Sequence, residues 1–227
     1  MDAVYFHEEV TREEIDVEEA LEENLPDGSL QAFWGSTLFH YDDLPFGIEN
    51  FPKVFTAFRK KVEKYSEIRM VYPQPESLNT RSDLKTDPIP KPEDLGLRSP
   101  VMDDRSVLPF DGGEDAGKNR LQAYFWERDK LKSYKRTRNG LVGADYSSKF
   151  SPWLANGCLS PRYIYHELKK YEKERTKNDS TYWLIFELIW RDYFRFSAAH
   201  FGNRIFYAGG IQDKSREWSQ DKSLRSE

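Results

Sequence analysis

Apolar positions near the start of the chain fall into two short clusters, Val4-Tyr5-Phe6 and Leu30 to Phe33, separated by a long polar stretch. Clusters of this length predict strands. Between them Thr11 precedes Glu14 by three, a capping-box pattern, and the acidic run that follows has helix-forming composition, so residues 12 to 24 are predicted as a solvated helix. Phe51 to Glu67 is predicted as a second helix, because Val54, Phe55, Phe58 and Val62 recur on one face at helical spacing. Strand and helix therefore alternate up to Val71. That order predicts an α/β layer, with too few strands to close a stable sheet by themselves.

From Val71 to Phe110 the periodicity disappears. Seven of the twelve prolines lie in this stretch, which predicts an extended linker with a domain boundary near Asp111-Gly112-Gly113. Beyond it the pattern is helical. Leu121, Tyr124 and Phe125 form the stripe of a helix expected over about Asp115 to Lys132. Ser160-Pro161 opens another, with Ile164, Leu168 and Tyr171 as its buried face. Ser180 or Thr181 starts the last one, whose Tyr182 to His200 stretch is apolar nearly all round and belongs in a helical core. The chain thus divides into an α/β part over 1–70, a linker over 71–110 and a helical part over 111–227.

Composition sharpens this division. Hydrophobic residues are only 38% of the chain while aromatics reach 15%, so the core must lean on Phe, Tyr and Trp. A single cysteine, Cys158, excludes an intramolecular disulfide. No apolar run reaches the roughly 18 to 20 residues that span a bilayer, and the acidic N-terminus lacks the zones of a signal peptide. A soluble intracellular protein is expected, its compartment not readable. The net charge of -5 is uneven: residues 1 to 30 carry eleven acidic side chains against Arg12 alone, leaving the remainder basic. That remainder is where a polyanion could dock, although on charge alone a mixed solvated surface is the favoured reading.

Two groups of residues carry candidate chemistry. In the last helix Trp183, Glu187, Trp190, Arg191 and Phe194 recur at three- and four-residue steps, placing an anion and a cation on a face with large aromatics. Glu187 and Arg191 can satisfy each other across one turn, or that face can meet a polar ligand. The second group joins Tyr134-Lys135-Arg136-Thr137-Arg138 to Ser147-Ser148-Lys149-Phe150-Ser151-Pro152. Hydroxyl and cationic donors at a helix entrance suit a phosphate, or simply a capped loop.

Taken as ordered blocks, these residues resemble a known family. The run from Asp145 through Phe150-Ser-Pro-Trp-Leu-Ala-Asn-Gly-Cys-Leu-Ser-Pro to Arg162, then Ser180-Thr-Tyr-Trp and Phe186-Glu-Leu-Ile-Trp-Arg-Asp-Tyr-Phe194, resembles the flavin domain of photolyases and cryptochromes. Tyr146-Ser-Ser-Lys-Phe-Ser-Pro, with Phe33-Trp-Gly-Ser-Thr-Leu-Phe-His-Tyr-Asp-Asp-Leu-Pro-Phe46 upstream, resembles its DASH branch. The resemblance implies part of a Rossmann-like α/β antenna domain followed by a mainly α-helical FAD-binding domain, both incomplete. It implies FAD along Tyr134 and Arg138, with Ser147, Ser148, Lys149, Phe150 and Ser151 around its diphosphate and Arg191 toward the flavin. Glu187 and Trp190 would face a damaged base pair as catalytic residues. Trp183 is one residue further from Glu187 than in many photolyases, so its contact passes to it or to Leu184.

The implied activity is blue-light-driven repair of cyclobutane pyrimidine dimers, preferentially in single-stranded DNA, by an electron from excited reduced flavin. A photoreceptor that binds FAD and nucleic acid without repair, or an inactive truncated form, uses the same residues. A 5,10-methenyltetrahydrofolate antenna is implied as a second cofactor, with no metal, and a monomer is expected. The resemblance also implies that sequence before Val4 and after Glu227 is missing, including the tryptophans of the photoreduction chain. Trp34, Trp126, Trp153 and Trp218 are then expected as core or surface aromatics.

Overall fold

The structure is a computed structural model that describes residues 3–77, 88–98, 101–215, 217 and 219. Strand β1 (Val4–His7) leads into helix α1 (Arg12–Asn24) and back to strand β2 (Leu30–Phe33), a βαβ unit whose strands pair in parallel from Val4 with Leu30 to His7 with Phe33. α1 buries none of its residues, as its acidic composition predicts. Its cap differs from the expected box. The Thr11 hydroxyl donates to the Glu14 carboxylate and caps no backbone amide.

Helix α2 (Phe55–Tyr65) is shorter than the apolar spacing predicts. Val54 is its cap residue in extended conformation and is 64% exposed, so only Phe55, Phe58 and Val62 form the buried face. The described part of 71–110 carries one short 3-10 turn, Pro92–Leu95, closed by Gly96 in the left-handed region. Residues 78–87 and 99–100 of the expected linker lie outside the described residues.

The single helix expected over Asp115 to Lys132 is three pieces, the last a 3-10 turn over Leu131–Ser133. Helix α3 (Glu114–Gln122) widens into a π turn over Ala123–Glu127, where the Arg128 amide reaches back to the Ala123 carbonyl, and the chain then breaks at Asp129, whose φ is 51°. Packing decides this outcome over helical propensity: the wider turn keeps Leu121, Tyr124 and Phe125 all within 2% exposure. A Cβ on Gly117 would lie 3.2 Å from the Trp153 ring, so the missing side chain lets α3 sit against that indole.

Three further helices are short or long as their sequences dictate: α4 (Tyr134–Thr137), α5 (Ser151–Ala155) and α6 (Pro161–Glu174), the last opened by its proline and burying Ile164, Leu168 and Tyr171 as expected. Helix α7 (Asp179–Phe201) begins earlier than Ser180 or Thr181, because the cap is Asn178. Its side-chain oxygen accepts from the amides of Ser180 (2.8 Å) and Thr181 (3.1 Å).

The described residues form two compact units that interleave in sequence. One comprises Met1–Arg69, Ser160–Tyr165 and Tyr182–Glu227, the other Met70–Leu159 and His166–Thr181. The first has a core of packed rings, with centroids 5.3 to 5.6 Å apart in the pairs Phe51–Phe58, Phe51–Tyr193, Phe55–Tyr193 and Phe58–Tyr193. Trp34 stacks on Phe196 at 5.4 Å. The second is built on Tyr124, Phe125, Phe150, Trp153 and Tyr171, all buried. At about 1.5 to 3 kcal/mol for each fully buried large side chain, these rings supply much of the stability that an aliphatic-poor sequence must find.

Candidate functional site

The serine loop is organised from beneath by a side chain that periodicity alone did not mark. Arg120 of α3 is buried, and its guanidinium donates to the carbonyls of Ser148 (2.9 Å), Ala144 (2.7 Å) and Ser147 (3.2 Å) and to the Asp145 carboxylate (3.1 Å). Arg128 holds the same carboxylate at 3.1 Å. Burial would raise the Asp145 pKa, but these hydrogen bonds hold it below the usual carboxylate range. The loop thus has its carbonyls turned toward a fixed cation. What it has left to offer a ligand are N–H and O–H donors and the Lys149 ammonium. Lys149 itself sits at φ 59°, and Ser148 and Phe150 are buried while Ser151 opens α5.

Tyr134 is buried at the start of α4, and Arg138 closes that helix by donating its amide to the Tyr134 carbonyl at 2.9 Å. The Lys135 amide donates to the Ser180 hydroxyl at 3.2 Å and its ammonium pairs with Asp179 at 3.1 Å. The structure therefore brings Tyr134, Arg138, Ser147, Ser148, Lys149, Phe150 and Ser151 into one compact unit. Trp183, Leu184, Glu187, Trp190 and Arg191 belong to the other.

Within that other unit, Leu184 is buried and Trp183 stacks on Phe186 at 4.8 Å. Trp190 lies flat on Phe55, ring centroids 3.4 Å apart and 8° from parallel, so one of its two faces is already covered. Arg191 donates to the Ser36 carbonyl, and its burial lowers its pKa. Glu187 is half-buried on the same helix. Among the tryptophans without an expected role, Trp153 is buried, Trp34 is half-buried against Phe196 and Trp126 is half-buried; Trp218 lies outside the described residues.

Neighbouring Arg191, Asp192 is fully buried and was not marked by the helical spacing. Its two oxygens accept from the amides of Leu38 and Phe39, each at 2.9 Å. Burial pushes its pKa up to about 7, against the pull of those two amides and the guanidiniums of Arg191 and Arg195. Close by on the same helix, Arg195 pairs with Glu9 (2.8 Å), donates to the Glu8 carbonyl (2.8 Å) and lies over the Trp34 ring. A signal for Asp192 was present: it stands four residues from both Leu188 and Phe196, on the buried stripe. Arg120, four before Tyr124, carried the same signal.

The segment held by Asp192 and Arg195 borders a cavity of about 550 Å³ lined by residues that include Glu8, Glu9, Trp34, His40, Tyr41 and Asp42. Its volume is in the range of small-molecule sites. Desolvation and the Arg69 charge lower the His40 pKa, and its Nδ1 accepts from the Asp42 amide at 3.2 Å. No helix among the described residues is long and apolar enough to cross a membrane, and no group of three or more His, Cys, Asp or Glu among them could hold a metal ion.

Comparison with known proteins covers nearly the whole chain. Residues 1–79 match the family model described as DNA photolyase. The chain is 54% identical over 224 residues to cryptochrome DASH of Gloeobacter violaceus, covering 96% of this chain and 44% of that protein, and 52% identical over 225 residues to cryptochrome DASH of Danio rerio, covering 97% and 43%. It therefore spans under half the length of these relatives. Among solved structures, the cryptochrome of Synechocystis sp. PCC6803 superposes with a TM-score of 0.91 at 52% identity, over 99% of this chain and 47% of the other. A class III photolyase from Agrobacterium tumefaciens shares the fold at a TM-score of 0.74 and 20% identity. Half-identical sequence along almost all of its length, with a matching fold, means that the chain belongs to the photolyase and cryptochrome family and is similar to its DASH members.

Proposed function

We propose that this chain provides part of an FAD site in a protein that repairs cyclobutane pyrimidine dimers under blue light, preferentially in single-stranded DNA. The observation that carries the reading is the loop at Ala144 to Ser151, in which buried Arg120 engages the carbonyls of Ala144, Ser147 and Ser148 and whose complementary resource is donors. A diphosphate is what such a loop suits. In this reading Ser147, Ser148, Lys149 and Ser151 hold the diphosphate, Phe150 and Tyr134 line the cofactor, and Arg138 adds a cation. Trp183, Leu184 and Arg191 approach the flavin. When bound, reduced FAD supplies a photoexcited electron that splits the dimer and then returns. Glu187 hydrogen-bonds the lesion, and Trp190, stacked on Phe55 and Phe194, offers the part of its ring they leave uncovered to a base.

The cavity at Glu8 and Glu9 supports a 5,10-methenyltetrahydrofolate antenna. Carboxylates accept from the amino and N–H edge of a pterin, and Trp34 and Tyr41 line the same space for its ring. Replacing Glu8 by Gln is expected to weaken folate retention in a fluorescence titration.

A second reading, a photoreceptor without repair, is favoured by two contacts: Phe55 lies flat on Trp190 and Phe194 stacks on it at 5.6 Å, which leaves little of the indole wall for base stacking. The fate of the lesion separates the two. Blue light on reduced, FAD-loaded protein with dimer-containing single-stranded DNA should restore the pyrimidine absorbance, and Glu187→Gln should slow that recovery. Lesions that persist under these conditions reject repair. We expect weak flavin retention by residues 1–227 alone, and a stoichiometric flavin spectrum would overturn that expectation.

A further inference from the structure

Asparagine is a thermolabile residue, and most so before glycine, whose nitrogen meets no side chain on its way to the asparagine side-chain carbonyl. The chain contains two such pairs, Asn139-Gly140 and Asn156-Gly157. The fold restrains them very differently.

Asn139 is exposed in the turn that follows α4, and its side chain carries no hydrogen bond among the described residues. A single backbone bond holds the pair, the Gly140 amide donating to the Thr137 carbonyl at 2.8 Å. The chain leaving it is open to water, with Leu141 and Val142 89% and 79% exposed. Asn156 is exposed too, but it is tied to the end of α5. Its side-chain nitrogen donates to the Pro152 carbonyl at 2.9 Å, and its backbone amide donates to the same carbonyl at 3.3 Å. Turning that side chain toward Gly157 breaks a bond on the very group that must move.

Packing also keeps the glycine at 140 in place. A Cβ there would lie 2.5 Å from the Tyr146 ring, and one on Gly143 would lie 3.2 Å from it. The ring covers both glycines, so a bulkier residue that would shield Asn139 does not fit.

We propose that Asn139 is a site of spontaneous deamidation, a covalent change that places a new negative charge beside the candidate cofactor loop. Solvent hydroxide removes the Gly140 N–H proton, and the nitrogen attacks the side-chain carbonyl carbon of Asn139. The bond from that carbon to the side-chain nitrogen breaks, and ammonia leaves with a proton returned by water. Water then opens the cyclic imide at either carbonyl, giving aspartate or isoaspartate. The net change consumes water and releases ammonia, with no oxidation or reduction. Its consequence rests on the reading that this unit holds FAD: a carboxylate at 139 competes with the diphosphate for neighbouring Arg138. Flavin retention then declines as the protein ages.

The test keeps the 227-residue chain at physiological temperature and mildly alkaline pH, sampling it for peptide mapping by mass spectrometry, with circular dichroism to confirm the fold. Conversion at Asn139 should outpace that at Asn156 by roughly fivefold, the worth of the additional hydrogen bond on the Asn156 side chain. Asn156 converting first overturns the proposal, as does Asn139 staying intact while a synthetic peptide of residues 137–142 is converted. In a longer, FAD-loading form of the protein, Asn139→Asp should weaken flavin affinity by roughly tenfold. Unaltered affinity overturns the link to the cofactor. Failure of the parent protein to take up FAD rejects the FAD reading alone, because the mass change is read without any cofactor.

Discussion

Two loops in this molecule are fixed by buried charge of opposite sign, and the sign decides what each can do. The 144–148 loop is gathered by a buried cation, Arg120, which takes up carbonyls. The 36–39 loop is gathered by a buried anion, Asp192, which takes up amides, with Arg191 adding the Ser36 carbonyl. A loop whose acceptors are spent is complementary to anions. One whose donors are spent is not, and its neighbourhood is correspondingly acidic, with Glu8, Glu9 and Asp42 lining the adjoining cavity.

Removing the cation tests the contrast most severely. Arg120→Met should cost about 3 kcal/mol in chemical denaturation, since it leaves three carbonyls without their donor and the Asp145 carboxylate with Arg128 alone. It should also abolish flavin retention in a longer, FAD-loading form of the protein. If stability is lost and flavin affinity is kept, the loop does not depend on Arg120 for its shape.

Asp192→Asn should cost about 2 kcal/mol, because an amide presents one acceptor and one donor to two amide donors. The pH dependence carries a sign. The folded pKa of Asp192 stands at about 7, above the ordinary carboxylate value, so its contribution is fully present below the unfolded pKa and is lost as pH rises through about 7. Stability should therefore fall between about pH 4 and 7 on account of this group, and the Asn variant should lose that component of the slope. A parent chain whose stability rises steadily over the same interval would contradict it.

A smaller effect is expected at Tyr171→Phe, which removes the hydroxyl bond to Asp129 and keeps the packed ring. About 1 kcal/mol should be lost. Burial and the Asp129 charge both raise the Tyr171 pKa, so no ionisation of this phenol should appear by absorbance at mildly alkaline pH.

The strands, α1 and the buried stripe of α6 were legible because each is a local pattern: short apolar clusters, an acidic helix, a proline start. The boundaries that moved were set by contacts distant in sequence or by a cap upstream of the expected start. The π turn at Ala123–Glu127 exists because Tyr124 and Phe125 must both be buried, and Asn178 displaced the expected hydroxyl caps. In the candidate site the serines, Tyr134 and the α7 aromatics were legible as ordered motifs. The charges that position them were not. Arg120 and Asp192 read as ordinary polar residues until their partners, a loop away, are known, although each sits on a stripe that should have been apolar.

Tyr5 and Phe33, 69% and 55% exposed, lie with their rings tilted 37° and centroids 5.9 Å apart on one face of the two-stranded sheet. For bench work this matters more than it does for photochemistry. An aromatic patch beside open strand edges is an invitation to aggregate. Solutions of the 227-residue chain should become turbid with concentration, and a charged residue at Tyr5 should be the first change to try when preparing it.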